Sequence, residues 1–183
     1  MTEQQGQAVL AVPVDEHDHI RGTSNAPVTL VEYGDYECPY CGEAYAAVKQ
    51  LQEEMGNQVR FVFRNFPITE AHPHAEQAAE AAEAAADQGK FWEMHDFLFE
   101  HQRALDEEHL AEYARILSLS DADLERELEE GTERGRVRED AIGGLESGVE
   151  GTPTFFINGV RYDGSYDTRS LRAAIEEAAA QGA

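Results

Sequence analysis

The feature that most narrows what this chain can fold into is the position of its two cysteines. Cys38 and Cys41 stand in Cys38-Pro39-Tyr40-Cys41 and are the two cysteines of the 183-residue sequence. Directly before them runs Val-Thr-Leu-Val-Glu-Tyr, Val28 to Tyr33, rich in β-branched and aromatic residues and strand-like. Directly after them runs Glu43 to Leu51, which is helix-like. Two thiols two residues apart on the first turn of a helix can close a disulfide and open it again. The other reading is a pair of buried structural cysteines. A bridge across so short a loop removes little unfolded-state entropy and so adds little stability. The strand–CxxC–helix context therefore points to redox chemistry rather than scaffolding.

The rest of the chain supplies more β and α segments in a definite order. Residues 1–8 are polar. Residues 9–27 hold Pro13, an acidic and histidine-rich cluster from Asp15 to His19, and Ala26-Pro27, with room for one short edge strand. The helix after Cys38 stops at Gly56, a good C-terminal cap residue. Val59 to Arg64 alternates Val59, Phe61 and Phe63, which predicts a strand ending before Pro67. A long helical block follows. Ala-rich His74–Gln88 ends at Gly89, with Glu80 and Glu83 interrupting the alanines as in an ordinary helix. Phe91 to Arg103 carries Phe91, Trp92, Phe97 and Phe99 at helical spacing, which reads as core packing rather than a ligand box. Leu110, Tyr113, Ala114 and Leu117 form an amphipathic stripe. Ser120 caps a helix with Leu124 and Leu128 that pauses at Gly131, and a further helix includes Val137, Ile142 and Leu145. After Gly148 the pattern turns β again: Thr154–Ile157, a turn at Asn158-Gly159 and a return over Val160–Tyr162. A last helix starts at Asp167 or Thr168 and runs to about Ala180. The order is βαβ, a helical block, then ββα.

Composition limits the function classes. The formal net charge is −23, with 37 acidic against 14 basic residues, and two of the basic residues are lysines, Lys49 and Lys90. Such a surface repels nucleic-acid phosphates and anionic membranes, so nucleic-acid partners are set aside. The acidity is spread along the chain, which resembles proteins of salt-accumulating halophiles; an ordinary acidic bacterial protein is the other reading. No run is long and apolar enough for stable membrane insertion. The stretch Ala8–Val14 is short and no basic residue precedes it, unlike a secretion signal. As written, the chain reads as cytoplasmic, and as periplasmic or extracytoplasmic if processed or recloned.

The order of elements, with CxxC at the first strand–helix junction, resembles the thioredoxin superfamily, and the helical block resembles its DsbA-like branch. The likeness covers nearly the whole chain from about Asp18. It is carried by Asp18–Gly22 with Ala26-Pro27, by Glu32–Cys41, by Gln88–Trp92 and by Gly151–Gly159. The implied fold is α/β, a thioredoxin fold with an α-helical insertion between the second and third core strands. The expected division is a lead-in over 1–27, a thioredoxin-like domain over 28–70 and 148–183, and an inserted helical domain over 71–147.

The same likeness implies roles. Cys38, at the helix N-terminus, faces unpaired N–H groups and the positive end of the helix dipole, which favour its thiolate. It is the expected nucleophile, and Cys41, one turn on and less exposed, the resolving thiol. Pro39 suits the first turn, where no N–H is needed. Pro39 and Tyr40 hold the positions that tune the potential in relatives, and the histidine found there in the most oxidising ones is missing. Glu37 and Asp35 lie close in sequence and are expected to oppose the thiolate, keeping Cys38 less acidic than in the strongest oxidants and its ionisation sensitive to salt. Glu32 sits six residues before Cys38, where relatives keep a buried acid that moves protons; an exposed strand glutamate is the alternative. Pro153 matches the superfamily's cis-proline, and the backbone of Thr152 matches the part that pairs with an extended substrate.

The expected activity is thiol–disulfide exchange with polypeptide thiols and disulfides, together with a redox partner the sequence does not identify, and no cofactor is called for. Two rivals stand beside it. One is a binding module for a peptide or membrane partner, with the cysteines as a redox latch. The other is a glutathione-linked reductase like the glutaredoxins that also carry Cys-Pro-Tyr-Cys, against which the large helical block argues. The direction of electron flow and the oligomeric state are not readable from the sequence. His72 and His74 flank Pro73 and could be drawn into a zinc site with the cysteines, but their spacing does not match one, so no metal site is expected. His17, His19, His95, His101 and His109 read as surface or packed helix residues, and the Asp15–His19 cluster as a solvated turn.

Overall fold

The computed structural model describes residues 7–182, so the first six residues of the polar lead-in lie outside the described residues. Along the chain come β1 (His19–Arg21), β2 (Val28–Gly34), α1 (Pro39–Met55), β3 (Val59–Asn65), α2 (Ala75–Asp87), α3 (Phe91–Glu100), α4 (Glu107–Ile116), α5 (Asp121–Glu130), α6 (Arg134–Glu146), β4 (Thr154–Ile157), β5 (Val160–Tyr162) and α7 (Thr168–Gln181). The five strands form one sheet in the order β1-β3-β2-β4-β5. β2 and β3 are parallel, and the other pairs are antiparallel. This is the α/β thioredoxin architecture, with α2–α6 inserted between the second and third core strands, β3 and β4.

Alternation along β2 and β3 assigns the two sheet faces. Val28, Leu30, Val59, Phe61 and Phe63 join the larger core with α1, α7 and the helical block. Val31, Tyr33, Val62 and Phe156 form a smaller core under the lead-in residues Leu10, Val14 and Ile20. The lead-in also pairs as an extra edge: Leu10 N–H donates to Gly159 at 2.8 Å and Arg161 N–H to Ala8 at 2.9 Å. Helix ends follow local capping chemistry. Asp106, Ser120 and Asp167 accept from backbone N–H groups at the starts of α4, α5 and α7. The β4–β5 turn puts Asn158 and Gly159 at positive φ, 48° and 80°.

One expectation is corrected here. The Asp15–His19 cluster is not a solvated turn throughout. Asp18 accepts from Arg64 Nε and Nη2, both at 2.8 Å, with each side chain 4% exposed. His19 lies on β1, stacked on Phe91 and bonded to Glu83 at 2.8 Å. Glu80 and Glu83 are buried in α2, 1% and 3% exposed. Glu83 binds His19 and Asn65, and Glu80 binds Arg134. Helix α2 runs through the middle of the helical block, and its alanines let neighbouring helices come close while the two carboxylates find fixed partners.

Candidate active site

Strand β2 delivers the site from below and α1 from the side. Cys38 is the N-cap residue of α1, with φ −70° and ψ 122°, and Pro39 takes the first turn. Cys38 is 3% exposed and Cys41 is fully buried, while Tyr40 between them projects outward at 62% exposure. Both thiols are free and within hydrogen-bonding contact of one another. The loop before β4 meets them: Cys38 Sγ donates to the Thr152 carbonyl at 3.6 Å, and the Thr152–Pro153 peptide is cis. Thr154 Oγ1 donates to Gly151 at 2.7 Å and ties that loop off.

The two thiols sit in opposite electrostatic situations. Cys38 is drawn down to about 5, first by the hydrogen bond from Cys41, against the cost of burial, and further by Thr152 and the backbone N–H groups of Cys41 and Tyr40. The Thr152 hydroxyl is buried with no partner among the described residues, so it is free to turn toward a thiolate. Cys41 is pushed far above the usual thiol range, mostly by burial, and then by its bond to Cys38 and the charge of Glu32. Cys38 is thus acidic although Asp35 and Glu37 lie beside it in sequence. Both carboxylates are engaged by hydrogen-bond donors. Asp35 accepts from Glu37 N–H, Cys38 N–H, Ile68 N–H and His72 Nδ1; Glu37 accepts from His74 N–H and Nδ1.

Glu32 lies on the α1 side of β2, between Phe63 of β3 and Phe155 of β4 in the register. It is 2% exposed, and Oε1 has no partner among the described residues. Burial, and secondarily the charge at Cys38, lift its carboxyl to about 8. Arg21, Tyr45, Lys49 and His95 line a cavity of about 10 Å³ beside it. Several neighbours carry no local signal in the sequence. Gln102, after α3, donates to the carbonyls of Tyr36 and Cys38, each at 2.8 Å, and so ties the helical block to the cysteine loop. Tyr36 is buried and pairs its hydroxyl with His95 Nδ1 at 3.0 Å. His72 and His74, considered earlier as metal ligands, are each bonded to a carboxylate of the loop. Among the described residues no three His, Cys, Asp or Glu side chains are grouped to hold a metal ion.

Comparison with known proteins places this arrangement. A family model described as Thioredoxin matches residues 14–177. The oxidised BdbD of Bacillus subtilis superposes with a TM-score of 0.84 at 25% identity, covering 95% of this chain and 99% of that one. A thioredoxin-like oxidoreductase from Silicibacter pomeroyi gives 0.80 at 30% identity, over 92% and 95%. Among curated relatives, a Na(+)/H(+) antiporter NhaA 1 of Salinispora arenicola is 52% identical over 173 residues, 92% of this chain but 26% of that protein. The chain thus spans about a quarter of the length of the curated relatives it matches.

Proposed function

The chain belongs to the thioredoxin family, in its DsbA-like branch, and from that premise we propose that it is a protein thiol–disulfide oxidoreductase in which Cys38 attacks and Cys41 resolves. The observation that carries this reading is the asymmetry of the pair: one thiol drawn down to about 5, its neighbour one turn away pushed far up, both against the Thr152–Pro153 loop. In reduction of a substrate, the Cys38 thiolate attacks one disulfide sulfur and releases the other as a thiolate, forming a mixed disulfide. Cys41 then attacks Cys38 Sγ and frees the substrate thiol, and Glu32 accepts the Cys41 proton. Oxidation of a dithiol substrate runs the same steps backward. Thr152 offers backbone groups to an extended polypeptide. In this reading residues 28–70 with 148–182 make up the thioredoxin-like domain that holds the cysteines, and 71–147 the helical domain that supplies Gln102, His72 and His74.

Direction follows from the same electrostatics. A stabilised Cys38 thiolate stabilises the dithiol form and makes the disulfide the better oxidant. We therefore read the protein as a net oxidant, suited to an oxidising compartment rather than a glutathione-reduced one. The test is capture of a substrate peptide as a mixed disulfide on Cys38 in Cys41→Ala, its loss in Cys38→Ala, and the reduction potential against glutathione. A Cys41→Ala protein that captures nothing, or a potential near the thioredoxin value of about −270 mV, counts against the enzyme and the oxidant readings respectively.

One finding favours a second reading. In relatives such as the S. arenicola antiporter, the matching segment is about a quarter of a much longer chain. That context supports a module acting on or beside a membrane transporter, with the cysteine pair as a redox latch. Binding that survives Cys38→Ala would support the latch over the enzyme.

A further inference from the structure

Asp35 is the carboxylate nearest to the nucleophile in the hydrogen-bond network, and its side chain is fully buried. One oxygen accepts the amides of Glu37 and Cys38, at 2.8 and 3.2 Å. The other accepts the Ile68 amide at 2.8 Å and His72 Nδ1 at 2.7 Å. A bare negative charge that shares the Cys38 amide works against a thiolate on the same residue. Three of its four partners are neutral N–H groups. His72 alone among them can carry a full positive charge, and at 19% side-chain exposure it can exchange protons with solvent. The Pro39-Tyr40 dipeptide contributes no cation of its own. The segment after β3 is folded to bring the imidazole here: Phe66 N–H donates to Gly34 at 2.8 Å and His72 N–H to Ile68 at 2.9 Å.

We infer that His72 is a positioning residue for the exchange reaction, its imidazolium clamping and neutralising Asp35 so that Cys38 remains a thiolate. The inference rests on the thiol–disulfide reading and names a group within it. The titratable groups facing this pair are Glu37 with its partner His74, Cys38, and Cys41 and Glu32, both of which burial keeps protonated. Of these, Cys38 and Glu37 are the charges that favour a protonated His72. Burial pulls the imidazole down, but the hydrogen bond and charge of Asp35 outweigh it, with Cys38 and Glu37 adding, and the net direction is upward. By linkage, whatever the Cys38 thiolate does to hold the proton on His72, that proton does to hold the thiolate.

The experiment needs no substrate. Histidine-labelled protein is titrated by NMR in its oxidised and reduced forms, and Cys38 ionisation is followed by ultraviolet thiolate absorbance in wild type, His72→Gln and His74→Gln. The expected result is a His72 midpoint higher in the reduced protein by about 0.5–1 pH unit. His72→Gln, which keeps an N–H for Asp35 but no charge, raises the Cys38 midpoint by the same amount. The thiolate fraction on the acid side then falls about 3–10-fold, and the potential moves negative by about 30 mV for each tenfold loss. A purely structural role would lower stability without moving either midpoint. Identical His72 titration in both redox forms overturns the inference, and this reading on the wild-type protein stands even if His72→Gln does not fold. An equal shift from His74→Gln also overturns it, by assigning the effect to the general field of the loop. A wild-type protein that fails to exchange with disulfides would sink the enzymatic reading and leave these titrations interpretable.

Discussion

Replacing Glu32 by Gln should make the protein more stable and a worse catalyst, and the size of the first effect can be worked out. The carboxyl stands at about 8 in the folded chain against an ordinary 4.5. The folded protein therefore binds the proton more tightly than the unfolded one, so the stability tied to this group is complete below pH 4.5 and drains away as pH rises toward 8. Each pH unit in that window costs about 1.4 kcal/mol, or about 3 kcal/mol by pH 7 and about 5 kcal/mol above pH 8. Gln keeps the shape and carries no charge. The Glu32→Gln protein should match wild type near pH 4 and exceed it by about 3 kcal/mol at pH 7. Urea unfolding at several pH values, with both proteins followed in parallel, cancels the titration of all other groups. Burial is the larger cause of the shift and the Cys38 charge the smaller, so the gain should shrink, but persist, in the disulfide form. Resolution of the mixed disulfide should slow by about 10²-fold or more, the range for loss of a positioned general base. Parallel stability curves for the two proteins from pH 4 to 8 would show that Glu32 is not held neutral, and the proton-transfer role would go with it.

Other perturbations test the surroundings. Gln102→Ala leaves the Tyr36 and Cys38 carbonyls without their side-chain donor, so it should cost about 1–3 kcal/mol, read by chemical denaturation, and should speed amide hydrogen exchange in the cysteine loop. Gly144→Ala places a Cβ 2.7 Å from the Phe66 ring and 3.1 Å from Tyr33. Overpacking of about 1–3 kcal/mol should outweigh the helix propensity that alanine adds, with a lower thermal midpoint as the readout. With a formal charge of −23, the protein should gain thermal stability steadily as NaCl rises through the range where screening is strongest; a midpoint indifferent to salt would mean the acidic groups are already compensated.

The parts of this molecule that could be read from sequence are those fixed by near neighbours. Alternation over Val59, Phe61 and Phe63, the caps at Ser120 and Asp167, and the Asn158-Gly159 turn each depend on a few adjacent residues, and all fold as local chemistry directs. The cysteine motif belongs with them, because its helix N-terminus is built from Pro39 onward. What escaped depends on partners far along the chain. Asp18 meets Arg64, His19 meets Glu83, and Gln102 meets the carbonyl of Cys38, each across more than forty positions. No local pattern encodes such pairs, because the fold must exist before the groups meet. Glu80 and Glu83 look like the solvated stripe of any alanine-rich helix until α2 is packed on every side.

Asp35 and Glu37 show why the same limit reaches into the chemistry. Sequence adjacency puts two negative charges beside Cys38, which by themselves would oppose its thiolate. The three-dimensional path blunts them. The chain after β3 returns over the loop and brings two amides and two imidazoles, and both carboxylates are spent on donors. A charge that is fully hydrogen-bonded and paired contributes little net field at a neighbouring sulfur, whereas the oriented N–H groups of the α1 terminus and the Cys41 thiol act on that sulfur directly. The acidity of Cys38 therefore rests on these near donors and on the partners that residues 68–74 bring to Asp35 and Glu37. For the same reason, perturbing residues 66–74 should alter the redox behaviour of Cys38 even though none of them lies within the motif.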